Sequence, residues 1–186
     1  MHPRFERFIQ GMSELTARAG VTEPDILRDG GELLRELVAR DDWLAREYAQ
    51  AHPQYYQQYL LYCCPEQRFS VVSFVWGPGQ KTPIHDHTVW GLIGMLRGGE
   101  QSRPFTRDAA SGRLTEGATQ VLQPGVVEAV SPAVGDIHEV SNIYQDRVSI
   151  SIHVYGADIG QVRRHVYDPQ TGAAREFVSG YARPAV

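Results

Sequence analysis

His85, Asp86 and His87 lie together in Gly79-Gln-Lys-Thr-Pro-Ile-His-Asp-His-Thr88, and another histidine follows in Gly135-Asp-Ile-His138-Glu-Val-Ser-Asn142. Along an extended strand alternate side chains share a face, so His85 and His87 can point into one cavity. A third imidazole from a facing strand, His138, then completes a facial set of neutral donors. Such a set holds a divalent metal and leaves about half of an octahedron open. With no carboxylate among its donors the ion keeps its full charge, which favours an anionic thiolate together with dioxygen. Three histidines and a water also make a hydrolytic or hydrating zinc site, and residue types alone leave both chemistries open.

A second set, Ser151-Ile152-His153-Val154-Tyr155, alternates polar and apolar side chains. On a strand, Ser151, His153 and Tyr155 share the face turned to the cavity and form a relay from hydroxyl through imidazole to phenol, with the phenol nearest the metal. An ordinary amphipathic strand alternates in the same way, and only its pairing with the metal set gives the pattern chemical meaning. His2, His52 and His165 read as surface or packing residues, and Trp76 and Trp90 as sheet-core aromatics that line or back the cavity.

These residues need elements to position them. The chain has 186 residues and is 42% hydrophobic, enough to bury the core of one domain over 1–186. Phe5, Phe8, Ile9, Met12 and Leu15, and later Ile26, Leu33, Leu34, Leu37 and Val38, recur at helical steps, so 1–52 is expected to be helical. Thr22 with Asp25 marks a helix start, Gly30-Gly31 an interruption, and Asp41-Asp42 the cap of a third helix running to Ala51. From Tyr55 the character changes to short runs rich in Val, Ile, Tyr and Phe between turn residues: 59–62, 69–77, 88–96, 99–107, 117–122, 125–131, 148–155 and 161–167. Many short strands without interleaved helices predict a mainly β fold, a jelly-roll barrel over 55–167 with the N-terminal α-helices packed outside and a C-terminal segment over 168–186.

The net charge of -4 and the scatter of the 18 Lys and Arg residues argue against nucleic acid and against a charged membrane surface as partners, and leave small molecules. No apolar run approaches the roughly 20 residues of a membrane span, and Met1-His-Pro-Arg-Phe-Glu-Arg lacks the layout of a secretory signal. A cytoplasmic location is expected. The adjacent Cys63 and Cys64 suit free thiols better than a bridge, and the sequence carries no signal of oligomeric state.

Gly79 precedes His85 by five intervening residues, and Gly135-x-x-His138-x-x-x-Asn142 has the spacing of a second cupin motif, so the chain resembles a cupin at two separated places. It departs where the common first motif has a glutamate, since Gly91 and Leu92 stand there. With Ser151-x-His153-x-Tyr155 added, the stretch from about Tyr55 to Tyr167 resembles the bacterial thiol dioxygenases related to cysteine dioxygenase. That resemblance implies a cupin jelly roll and Fe(2+) on His85, His87 and His138. It also implies Ser151, His153 and Tyr155 as the catalytic relay, and a small thiol carboxylate and O2 as substrates yielding a sulfinate. Where animal cysteine dioxygenases carry an arginine, Tyr56-Gln57-Gln58-Tyr59-Leu60 offers Gln58, as in the 3-mercaptopropionate branch. The likeness to that branch implies that Arg164 grips the carboxylate and Gln58 supplements it. Gly91 also falls in the region of the animal enzyme's crosslinked cysteine, which implies an unmodified Tyr155. Cysteine or mercaptosuccinate as substrate, and a non-catalytic cupin that binds a small molecule, are the alternatives.

Overall fold

Phe5, Phe8, Met12 and Leu15 form the buried stripe of helix α1 (Pro3–Ala17), and the His2 ring caps it by accepting the Arg4 N–H at 3.2 Å. The computed structural model describes residues 1–184; Ala185 and Val186, the end of the expected C-terminal segment, lie outside them. Thr22 and Asp25 form the anticipated start signal, a reciprocal capping box opening α2 (Glu23–Asp25). From there the chain continues through a widened π-type turn, Ile26–Gly30, directly into α3 (Gly31–Val38). The expected interruption at Gly30-Gly31 does not occur. Both glycines keep helical dihedrals, and the bare Gly30 backbone closes on Leu92, whose methyl would lie 3.1 Å from a Cβ placed there.

The third helix expected after Asp41-Asp42 also fails to form; only a single 3-10 turn, Arg46–Ala49, is present. Tertiary contacts claim the segment instead. Trp43 stacks on Phe5 with centroids 5.1 Å apart and donates its indole N–H to the Leu37 carbonyl at 3.1 Å, satisfying an end group of α3. Asp41 pairs with Arg97 at 2.6 Å and Asp42 with Arg4 at 3.2 Å.

The strands, in chain order, are β1 (Gln57–Cys63), β2 (Ser70–Trp76), β3 (Ile84–His85), β4 (Gly91–Arg97), β5 (Glu100–Arg107), β6 (Leu114–Glu116), β7 (Gln120–Leu122), β8 (Val127–Val130), β9 (Ile137–Asn142), β10 (Ser149–Tyr155), β11 (Arg164–Tyr167) and β12 (Ala174–Phe177). They build two antiparallel sheets, one in the order β1-β2-β10-β4-β8 and the other β12-β11-β3-β9-β5-β6, with β7 also paired to β5. This is the double-sheet jelly roll anticipated. β6 and β12 were not among the expected strands, and β3 and β9 were expected only from the spacing of the histidines; all four are short or carry polar residues at alternate positions, and β12 lies in the C-terminal segment.

Period-two alternation decides where everything sits. Ile150, Ile152 and Val154 of β10, with Val71 and Val75 of β2, face outward and are buried under Phe5, Met12, Leu34 and Leu37 of the helices. Val72, Phe74 and Trp76 of β2 and Tyr155 of β10 face inward, toward Val140 of the other sheet. Both faces of β2 and β10 are therefore covered, every residue of each is buried, and the helices free the inner face for polar chemistry. No helix among the described residues is long and apolar enough to cross a membrane.

Candidate metal centre

His85 on β3 and His138 on β9 are direct cross-strand partners. His87 lies beyond the end of β3, so strand alternation alone does not bring it to the site. Nonetheless the three rings form a near-regular triangle, each pair of centroids 4.9 Å apart, and each residue offers a ring nitrogen within 4.8 Å of the others. All three are buried, and no Asp or Glu belongs to this cluster among the described residues. The Nδ1 atoms are engaged elsewhere: His85 with the Pro83 carbonyl at 3.0 Å, His87 with Asp136 Oδ1 at 3.0 Å and His138 with Ser102 Oγ at 3.3 Å. That leaves Nε2 for a metal, and His87 Nε2 is buried without a hydrogen-bond partner. Burial, with the neighbouring His87 ring second, pushes His85 down to about 3, and burial likewise holds His138 well below the usual imidazole range. Both are kept in the neutral form that ligates. The donor set therefore fits a metal ion.

Ser151, His153 and Tyr155 face the same interior from β10. Ser151 Oγ is 2.8 Å from His153 Nε2, and His153 Nδ1 is 2.8 Å from the Tyr155 hydroxyl. The phenol end meets the histidines, its ring stacked on His87 with centroids 5.3 Å apart. Trp76 donates its indole N–H to Ser151 Oγ at 3.2 Å, so it backs the relay, whereas Trp90 packs with the helix-side core. Burial keeps His153 neutral and raises the Tyr155 phenol well above its ordinary value. Gly91 lies against that ring: a Cβ there would come within 2.9 Å of two ring carbons, and the glycine offers no side chain to bond to it.

A cavity of about 190 Å³ opens onto His85 and is lined by Tyr56, Gln58, Phe74, Arg164, Arg175 and Ser179 among others. Arg163 and Arg164 look alike in sequence, but Arg164 opens β11 facing the interior while Arg163 precedes the strand and faces solvent. The Arg163 side chain is 73% exposed, while Arg164 is only 3% exposed. Arg164 stacks on Phe177 at 4.7 Å and donates to Ser179 Oγ at 2.7 Å; its Nε has no partner, and no carboxylate pairs with it among the described residues. Gln58 also lines the cavity, with its amide donating to the Gly180 carbonyl at 3.1 Å.

The family model for cysteine dioxygenase type I matches residues 34–168, a span that includes the three histidines, the relay, Gln58 and Arg164. The chain belongs to the cysteine dioxygenase type I family. It is 25% identical over 171 residues to cysteine dioxygenase type 1 of Homo sapiens, covering 82% of this chain and 84% of that protein. With the enzyme of the same name from Rattus norvegicus it shares 24% over 174 residues, covering 83% and 85%. Among solved structures it is similar to a conserved protein with a double-stranded β-helix domain from Klebsiella pneumoniae, with a TM-score of 0.50 and 16% identity over 65% of this chain and 95% of that one. That last likeness is one of fold, and it agrees with the cupin jelly roll. Membership of the cysteine dioxygenase family makes the protein a thiol dioxygenase, an oxidoreductase that uses O2.

Two acidic residues of this dioxygenase gain positions that the sequence did not disclose. Asp136 accepts the His87 backbone N–H at 2.9 Å, the His87 ring at 3.0 Å and the Thr88 N–H at 2.9 Å. Burial alone would raise its carboxyl, but these hydrogen bonds outweigh burial and hold it below the ordinary range. Asp136 thus replaces the missing strand: it fixes His87 and pins Thr88 at φ 60, a left-handed conformation that β-branched residues rarely adopt. Its place two residues before His138 was the available signal.

Asp86 points away from the metal and clamps β11. Its carboxylate accepts the His165 N–H at 2.7 Å, the His165 ring at 2.9 Å and the Tyr167 hydroxyl at 2.7 Å. His165 is accordingly a packing residue, and Asp86 sets the strand on which Arg164 stands. Asp86→Ala is expected to cost about 1–3 kcal/mol of stability, because the buried carboxylate's half-buried partners on β11 lose a charged acceptor, and to raise KM while metal content stays intact. Urea unfolding beside metal analysis tests this; an unchanged unfolding midpoint would refute the clamp.

Proposed function

We propose that this enzyme is a non-haem iron 3-mercaptopropionate dioxygenase, converting a thiol and O2 to a sulfinate with both oxygen atoms placed on sulfur. The observation that carries the substrate assignment is the buried, unpaired guanidinium of Arg164 in the cavity that opens onto His85. Burying such a cation without an anion is costly, so the site is built to receive one, and guanidinium binds carboxylate in two-point fashion. Gln58 adds an amide at the same wall. With Arg175 also on the rim, the cavity repels an ammonium group, which favours 3-mercaptopropionate over cysteine.

Ferrous iron held by His85, His87 and His138 would supply open positions for thiolate and dioxygen and the electrons that activate oxygen. The protein's part is orientation. Arg164 and Gln58 hold the carboxylate so that sulfur lies at the histidine triangle, and inward aromatic walls such as Phe74 exclude water. Tyr155, next to His87, donates a hydrogen bond to the substrate or oxygen, and His153 and Ser151 hold that phenol in place.

Arg175 favours a second reading, mercaptosuccinate, whose extra carboxylate it would meet at the cavity mouth. Oxygen uptake by the iron-loaded protein with 3-mercaptopropionate, cysteine and mercaptosuccinate separates these. The expected order places 3-mercaptopropionate first by at least ~10-fold in kcat/KM, equivalent to about 1.4 kcal/mol. Cysteine as the best substrate would overturn the assignment.

A further inference from the structure

Glu100 opens β5 in the interior of the barrel, 1% exposed, and neither carboxyl oxygen makes a hydrogen bond among the described residues. A carboxyl group left so is costly and calls for a function. The polar groups acting on it are the Ser151 hydroxyl and the Trp76 indole N–H, the inner end of the relay. Opposite it on β7 and β9 stand Leu122 and Asn142, neither of which titrates. The Asn142 amide is committed to the carbonyls of Trp76, Gly77 and Arg147. Of titratable groups, Glu128 faces Glu100 from β8 with one oxygen taken by Ser102, while His153 and Tyr155 lie further along the relay.

Hydrogen counting shows what such a carboxyl does. His153 is neutral and carries one N–H, so the relay has two arrangements. In the first, Ser151 donates to His153 Nε2, His153 Nδ1–H donates to the Tyr155 oxygen, and the phenol hydrogen is free to enter the metal cavity. In the second every bond is reversed: Tyr155 donates to His153, His153 donates to Ser151, and the Ser151 hydrogen requires another acceptor. Trp76 is a donor and cannot serve, which leaves Glu100.

We propose that Glu100 is a positioning residue that sets the direction of the Ser151, His153 and Tyr155 relay: as a carboxylic acid it turns the Tyr155 hydroxyl toward the metal cavity, and as a carboxylate it turns it away. The reversal is a proton shift along the chain: Glu100 gives its proton to Ser151 Oγ, Ser151 gives its own to His153 Nε2, the His153 Nδ1 proton passes to the Tyr155 oxygen and the former phenol proton leaves to water in the cavity, so the net loss is the one proton of Glu100 while His153 changes tautomer. Burial, augmented by Glu128 and opposed by Ser151 and Trp76, pushes Glu100 up to about 8, so the change falls at the edge of the physiological range. Its consequence for turnover rests on Tyr155 acting as donor to substrate; the orientation of the relay does not.

The test follows the Tyr155 Cζ resonance in full-length protein labelled with [4-13C]tyrosine and loaded with zinc as a diamagnetic metal, the signal being assigned by its absence in Tyr155→Phe. Between about pH 6 and 10 the wild-type signal is expected to move through a step with its midpoint near 8, and Glu100→Gln and Glu100→Leu are expected to remove that step. Two variants guard against one failing to fold. A step that persists in either folded variant, or none in the wild type, overturns the proposal. No thiol is present, so a wrong substrate leaves this result untouched. In the second arm, kcat for 3-mercaptopropionate should fall about 10-fold or more across the same step in the wild type and stay level in Glu100→Leu.

Discussion

Alanine in place of His138 will leave the protein without its metal, while phenylalanine in place of Tyr155 will leave the metal and remove most of the activity. His138 is one corner of a triangle of three rings 4.9 Å apart, and among the described residues no acidic group stands in that cluster to take its place. Loss of an outer partner of a ligand typically costs 10- to 100-fold in affinity, and loss of the ligand itself should exceed about 100-fold. Tyr155 touches His87 by stacking, and its hydroxyl is engaged with His153 by hydrogen bonding. Its removal should lower kcat by about 100-fold, the scale of a positioned proton donor. Metal content after dialysis and initial rates of oxygen uptake measure both. Iron retained at one equivalent in His138→Ala would refute the ligand assignment, and full activity in Tyr155→Phe would refute the relay.

The second large effect concerns Arg164. Arg164→Met should lower kcat/KM for a thiol carboxylate by about 100-fold or more, chiefly through KM, because a desolvated charge pair is worth roughly 2–5 kcal/mol when one partner is removed. Lysine should recover little of this. It cannot form the two-point contact, and it would lose the stacking on Phe177 at 4.7 Å. The same substitution should raise thermal stability in the absence of substrate, since an unpaired buried guanidinium is replaced by an apolar side chain of similar length. A KM for 3-mercaptopropionate unchanged in Arg164→Met would remove the basis for calling it the carboxylate clamp.

Much of the chemistry was legible because it is local. In β10 the step of two residues places Ser151, His153 and Tyr155 on one face and Ile150, Ile152 and Val154 on the other, and the structure follows that pattern without exception. The stripe of α1 and the Thr22 capping box are equally local. The third helix expected after Asp41-Asp42 does not form because its fate depends on partners far away in the chain: Asp41 on Arg97 and Trp43 on Phe5 outcompete a helical propensity worth only tenths of a kcal/mol per residue.

The sequence by itself therefore determined the donor types, the alternation that aims them, and a sheet-rich fold wrapped by N-terminal helices. Only the tertiary structure decided that His87 reaches the triangle on a turn held by Asp136, that Asp86 serves β11 instead of the metal, and that Glu100 lies behind Ser151. The reason is physical. Which side of a strand a residue faces follows from backbone geometry within a few residues, whereas what it meets there depends on strands paired across long stretches of chain, and no short-range pattern records that pairing.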